Sequence, residues 1–115
     1  MNIFNLFRHP RELQDFSPQD ILERIQQNPK MVILDVRTPM EYKSGHIANA
    51  KSYPLGQESV IARDYPPDIP LLLICKSGHR SQAAAAALMR LGFRQLSHLQ
   101  GGMDRWKREG FPTES

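Results

Sequence analysis

Leu71-Leu72-Leu73-Ile74-Cys75-Lys76-Ser77-Gly78-His79-Arg80-Ser81, continued by the alanines 83–87, is the stretch on which the fold turns. Four consecutive apolar residues read as a strand buried on both faces, as in a parallel sheet covered by helices. The run ends at the sulfur of Cys75, a short loop with one glycine turns the chain, and a helix is expected from about Ser81 to Leu91, where Gly92 supplies a left-handed stop. Its alanines let it lie close on a sheet. A strand, a tight loop and a helix N-terminus aim backbone N–H groups and the positive dipole end at one spot, a cradle for an anion. A thiol held there is expected to be acidic and nucleophilic.

Working outward, the same alternation repeats. Leu13 to Phe16 reads as a short strand. Ser17, Pro18 and Asp20 supply an N-cap, a first-turn proline and an acidic N3 residue to a helix whose apolar positions Ile21, Leu22 and Ile25 form one stripe, ended by Asn28 and Pro29. Met31 to Val36 is expected to be a buried strand with Asp35, Val36 and Arg37 at its carboxyl end. Thr38, Pro39 and Glu41 repeat the cap pattern for a brief helix stopped at Gly45, Ala50 to Tyr53 forms a third short strand closed by Pro54, and Gln57 to Arg63 a further helix. Gln95 to Leu99 reads as the last strand, Gly101 and Gly102 as a turn, and Met103 to Glu109 as a terminal helix with Trp106 in the core. Strands alternating with helices imply an α/β sandwich with a mostly parallel sheet and a site at the carboxyl ends of its strands.

Composition narrows the class. The 115 residues, 40% hydrophobic and 23% charged, suit one compact domain, residues 13–115, preceded by an arm at residues 1–12 that carries Ile3, Phe4, Leu6 and Phe7. That arm is expected to pack on the domain, with a membrane-surface or dimer contact as the alternative. Asn5 interrupts it and Arg8 stops it, which argues against a signal-peptide core; no membrane span is expected, and the protein is read as cytoplasmic. The net charge of +3 is spread out, with no basic run longer than Lys107-Arg108, so nucleic acid is a poor partner and small anions a better one. One cysteine excludes an internal disulfide and leaves no resolving thiol, so an intermediate on Cys75 must be discharged by another molecule. The four histidines and one cysteine show no metal-ligand spacing, and no cofactor is expected.

Cys75, Gly78, Arg80 and Ser81 form a C-x-x-G-x-R-S pattern that resembles the active-site loop of the rhodanese family of sulfurtransferases. Two further blocks are similar to signatures of that family: Leu34-Asp35-Val36-Arg37 with Pro39, Glu41, Tyr42, Gly45, His46, Ile47, Ala50 and Pro54, and then Leu99 with Gly101, Gly102 and Trp106. The resemblance implies a three-layer α/β/α rhodanese-like fold with a central, mostly parallel five-stranded sheet. It also implies a thiosulfate:cyanide-type sulfurtransferase that moves sulfane sulfur from thiosulfate or a persulfide donor, through a Cys75 persulfide, to an external thiol, cyanide or a thioredoxin-like acceptor.

Spacing separates sulfur from phosphorus chemistry. Cysteine phosphatases resemble C-x5-R, whereas only Lys76, Ser77, Gly78 and His79 intervene here, a tighter loop suited to a sulfur on cysteine rather than a phosphoryl group. A cysteine phosphatase or arsenate reductase, and a partner-recruiting regulatory module without chemistry, are the alternatives. Each accessory residue carries two readings. Arg80 either ties the loop to carbonyls or a carboxylate or touches substrate. Lys76 either sits at the pocket mouth, steering an anion, or is solvated. His79 either shuttles protons or is an uninvolved loop residue. Ser77 and Ser81 can hydrogen-bond sulfur, Ser81 alternatively capping the helix; Gly78 serves backbone conformation. Asp35 and Arg37 are expected to pair as a scaffold, with Arg37 as a substrate contact the other possibility. Glu41 completes a helix cap, and His46 is a structural hydrogen-bonding residue.

Overall fold

The computed structural model describes residue 10 and residues 12–115. The predicted arm lies mostly outside the described residues. Five strands, β1 (Leu13–Phe16), β2 (Val32–Asp35), β3 (Lys51–Ser52), β4 (Leu71–Ile74) and β5 (Leu96–Leu99), alternate with α1 (Pro18–Gln27), α2 (Pro39–Lys43), α3 (Glu58–Asp64), α4 (His79–Arg90) and α5 (Gly102–Arg108). The strands form one sheet in the order β1-β5-β4-β2-β3, and every pairing is parallel. This is the three-layer α/β/α arrangement. From β4 the chain turns toward β5 and from β2 toward β3, so the connections diverge between β4 and β2, the crevice where open α/β sheets place their sites.

Side-chain parity distributes the core. Leu71, Leu73 and Cys75 join Leu13, Leu34 and Leu96 beneath Ile61 of α3 and Ala84, Ala85 and Leu88 of α4. Leu72 and Ile74 point the other way, with Phe16, Ile33 and Leu99, against Ile21 of α1 and Met103 and Trp106 of α5. The uniform apolarity of β4 is thus the signature of a strand covered on both faces. The alternation also decides that the Cys75 side chain lies on the α4 side of the sheet.

Both predicted capping boxes form. Ser17 Oγ accepts the Asp20 N–H while Asp20 accepts that of Ser17, and Thr38 with Glu41 does the same for α2. Most element ends fall within a residue of expectation, and three differences bear on the site. The third strand is shorter than expected, Lys51–Ser52, although the Tyr53 N–H still reaches the Asp35 carbonyl at 2.8 Å. Helix α4 starts at His79 rather than Ser81, because Gly78 at φ +101° brings the chain into the helix two residues earlier. Helix α5 begins at Gly102, which the sequence reading put in the preceding turn.

That last shift positions the loop. The first amides of α5 cap the loop's outward carbonyls: Met103 N–H donates to the Cys75 oxygen at 2.8 Å and Asp104 N–H to that of Lys76 at 2.9 Å. This approach requires Gly102, at φ +63°, since a β-carbon there would collide with the Lys76 carbonyl and stand 2.6 Å from the Cys75 oxygen. On the other flank, Arg80 of α4 forms a two-pronged pair with Glu41 of α2, Nη1 to Oε1 at 2.6 Å and Nη2 to Oε2 at 2.9 Å.

Two outcomes follow from these braces. Gly102→Ala is expected to destabilise the domain by about 2 to 3 kcal/mol, because strain at φ > 0 adds to the carbonyl clash; denaturant unfolding measures it. The Arg80 guanidinium, followed by the Thr38 amide and hydroxyl, lowers Glu41 from 4.5 to about 2 against a smaller opposing push from burial. The folded protein therefore holds this carboxylate ionised more readily than the unfolded chain does. The resulting stability is complete above about pH 4.5 and is lost as pH falls toward 2. Between about pH 5 and pH 2.5, Glu41→Gln should lose less stability than wild type.

Candidate active site

Cys75 directly follows the last residue of β4 and is fully buried. Its Sγ accepts the Gly78 N–H at 2.8 Å and donates toward Ser81 Oγ at 3.4 Å. Gly78 is the N-terminal cap of α4, so the sulfur lies at the positive end of a twelve-residue helix. Beside it run Val36 and Arg37, since Asp35 pairs with Ile74 and the Val36 N–H bonds the Ile74 carbonyl.

The charged residues around the loop are held by one another. Arg37 is buried with Asp35: Nε lies 2.9 Å from Oδ1 and Nη2 lies 2.7 Å from Oδ2, while Nη2 also donates to the Gly45 carbonyl at 2.8 Å. That is the scaffold geometry, tying the end of β2 to the loop after α2. Arg80 is held by Glu41, which is both helix cap and ion-pair partner. Lys76 stands at the rim and bonds Asp104 at 3.0 Å, both side chains about half exposed. An ammonium so placed still contributes charge at the mouth, though partly offset by its carboxylate.

The two serines separate. Ser77 Oγ lies 3.1 Å from His79 Nδ1 on the exposed outside of the loop, not on the sulfur. Ser81 turns inward and is buried in the first turn of α4, where it meets the sulfur. It does not act as the N-terminal cap; its hydroxyl bonds back to the Gly78 carbonyl at 3.1 Å. Gly78 packs closely as well, a β-carbon there meeting Gly101 N at 3.4 Å. His46 stacks on Tyr42, rings 3.8 Å apart, and its Nδ1 lies 2.9 Å from the Tyr42 carbonyl oxygen.

Two residues the sequence reading did not single out reach the site from behind. His98 of β5 is buried, with Nδ1 2.7 Å from Ser81 Oγ and Nε2 2.7 Å from Asp15 Oδ1 on β1. Their signal was present but faint: a histidine at an inward position of the apolar strand 96–99 must find partners. By contrast, a groove of about 370 Å³ lined by Arg24, Met31 and Arg94 lies at the amino ends of β4 and β5, away from the thiol. The Cys75 loop lies at the opposite, carboxyl end of the central strand β4.

A sulfur at a helix N-terminus with an amide donor in contact is arranged to carry negative charge and act as a nucleophile. No described helix is long and apolar enough to cross a membrane.

Comparison with known proteins agrees with this architecture. A "Sulfurtransferase" of Allochromatium vinosum is 29% identical over 100 residues, 87% of this chain and 94% of that protein. The "Thiosulfate sulfurtransferase GlpE" of Pseudomonas putida F1 is 31% identical over 104 residues, 90% of this chain and 93% of that protein. Among solved structures, the polysulfide-sulfur transferase homodimer of Wolinella succinogenes superposes with a TM-score of 0.73 at 32% identity, covering 90% of this chain and 79% of that one. The model of the rhodanese-like domain matches residues 17–109, a span that holds the parallel sheet from β2 to β5, the Cys75 loop and the Gly101-Gly102 brace, and the chain belongs to the rhodanese-like domain family.

Proposed function

We propose that this protein moves sulfane sulfur through a persulfide on Cys75. The observation that carries the reading is the cradle itself: the sulfur accepts the Gly78 amide at the N-terminus of α4, in a loop with four residues between Cys75 and Arg80. The Cys75 thiolate attacks the outer sulfur of thiosulfate, the sulfur–sulfur bond of thiosulfate breaks, and sulfite leaves with that electron pair. An acceptor thiolate or cyanide then attacks the terminal sulfur of the persulfide and restores the Cys75 thiolate. The Gly78 amide and the helix end supply fixed positive potential at both stages. A persulfide places its outer sulfur about 2.05 Å beyond Sγ.

The physiological donor is thiosulfate or a persulfide, and the acceptor an external thiol, including a thioredoxin-like one. Relatives named for thiosulfate and for polysulfide support both donor classes. A lone thiol that must be discharged in trans suits a reducing compartment, and the reading includes a cytoplasmic setting. Phosphoryl and arsenate chemistry fits less well, because the loop is one residue tighter than the phosphatase pattern and Arg80 is committed to Glu41.

Incubation with thiosulfate should add one sulfur, about 32 Da by intact mass, to wild type and release sulfite. Absence of the adduct, or an equal adduct on Cys75→Ser, would sink the assignment. Lys76→Ala is expected to lower kcat/KM for thiosulfate about threefold to tenfold while sparing an uncharged persulfide donor. Asp104→Asn, which removes the offsetting charge, should change it in the opposite direction, and added salt should shrink both effects.

A further inference from the structure

We propose that Ser81, His98 and Asp15 form a proton relay that takes the thiol proton of Cys75 and leaves the sulfur as thiolate. The proposal rests on Cys75 being the nucleophile of the reading above, and it assigns work to two residues on strands that do not touch the loop's substrate side. Strand parity places all three elements on one face. Cys75 shares its side of the sheet with Leu73, His98 sits opposite Leu73 across β5, and Asp15 sits opposite His98 across β1. Ser81 descends from α4 onto that same face.

The donors and acceptors set the direction. An ionised Asp15 only accepts, so the Nε2 of His98 donates to it over 2.7 Å; a neutral imidazole then presents Nδ1 as an acceptor. Two acceptors lie within reach of the one Ser81 hydroxyl proton, the Gly78 carbonyl at 3.1 Å and His98 Nδ1 at 2.7 Å; the relay uses the nearer, and the Ser81 oxygen keeps a lone pair for the Cys75 thiol at 3.4 Å. When the thiol proton passes to Ser81 Oγ, the proton of Ser81 passes to His98 Nδ1. Cys75 becomes thiolate, His98 becomes imidazolium, and Ser81 is unchanged. Reversed, the same bonds let the imidazolium donate to Ser81 and Ser81 to the sulfur, so the transferred charge is held at both ends.

The other described charged groups facing the thiol are already engaged: Arg80 of α4 with Glu41, Arg37 after β2 with Asp35, and Lys76 of the loop with Asp104, while His79 contacts Ser77. Arg80 still adds favourable charge toward Cys75 at longer range. His98 is enclosed, its side chain 2% exposed, whereas Asp15 is 41% exposed on the edge strand, so the relay reaches water at its far end. Ser81 touches the reacting sulfur; His98 and Asp15 act through it and are positioning residues.

Because the chain has one cysteine, its ultraviolet thiolate absorbance reports Cys75 alone, without any sulfur donor. Titrated between about pH 4 and pH 9, below tyrosine ionisation, Ser81→Ala and His98→Gln should raise the midpoint by about one unit or more, a tenfold loss of thiolate in that range. Asp15→Asn keeps an acceptor for Nε2 but removes the charge that favours imidazolium, and should raise the midpoint by about half a unit. Asp15 lies exposed on an edge strand, so this variant decides the matter if the buried substitutions fail to fold. Folded variants with the wild-type midpoint would overturn the relay. A shifted midpoint in a protein that gains no sulfur from thiosulfate would keep the relay and reject the proposed function, so the two failures are distinguishable.

Discussion

The site depends on where two carbonyl groups go. A loop can turn its N–H groups toward an anion only if the oxygens of the same peptides find partners elsewhere. Here the oxygens of Cys75 and Lys76 are taken by the first amides of α5, at 2.8 and 2.9 Å, and the approach is close enough that Gly102 can carry no side chain. The loop after β4 is therefore fixed from outside by the helix after β5. Its inner surface is left to the Gly78 amide and the sulfur. The Gly101-Gly102 pair, far from Cys75 in sequence, is part of the same construction.

Charge is arranged with the same economy. Among the described residues three cations lie around the loop, and each is bound to a carboxylate: Arg37 to Asp35 at the end of β2, Arg80 to Glu41 across to α2, Lys76 to Asp104 across to α5. The two arginine pairs are short and two-pronged and work as struts; the lysine pair is exposed and worth little to stability. Positive potential at the sulfur thus comes chiefly from the backbone and the end of α4, with Arg80 contributing from behind its pair. Backbone dipoles held in a packed sheet-helix junction need no reorganisation when charge appears on sulfur.

Local rules made much of this legible in the sequence. Ser17 with Asp20 and Thr38 with Glu41 are three residues apart, so their capping boxes could be read directly, and both form. The run Leu71–Ile74 announced a strand covered on both faces, and the loop after Cys75 announced the cradle. What stayed hidden depended on strand order and close approach. Arg80 lies 39 residues from Glu41 and His98 lies 83 from Asp15; only the placement of β1 beside β5, and of β2, which leads to α2, beside β4, which leads to α4, brings them together. The early start of α4 came from a left-handed Gly78, which the sequence permits but does not require, and it turned Ser81 from a helix cap into a contact of the sulfur.

The central claim, that Cys75 carries transferred sulfur, is tested most directly by position-specific labelling of thiosulfate. Label in the outer, sulfane position should remain on the protein at one atom per chain, be released by an excess of thiol, and be absent from Cys75→Ser; label in the inner position should leave entirely as sulfite. Retention of both labels together, or retention of the outer label by Cys75→Ser, would contradict the account.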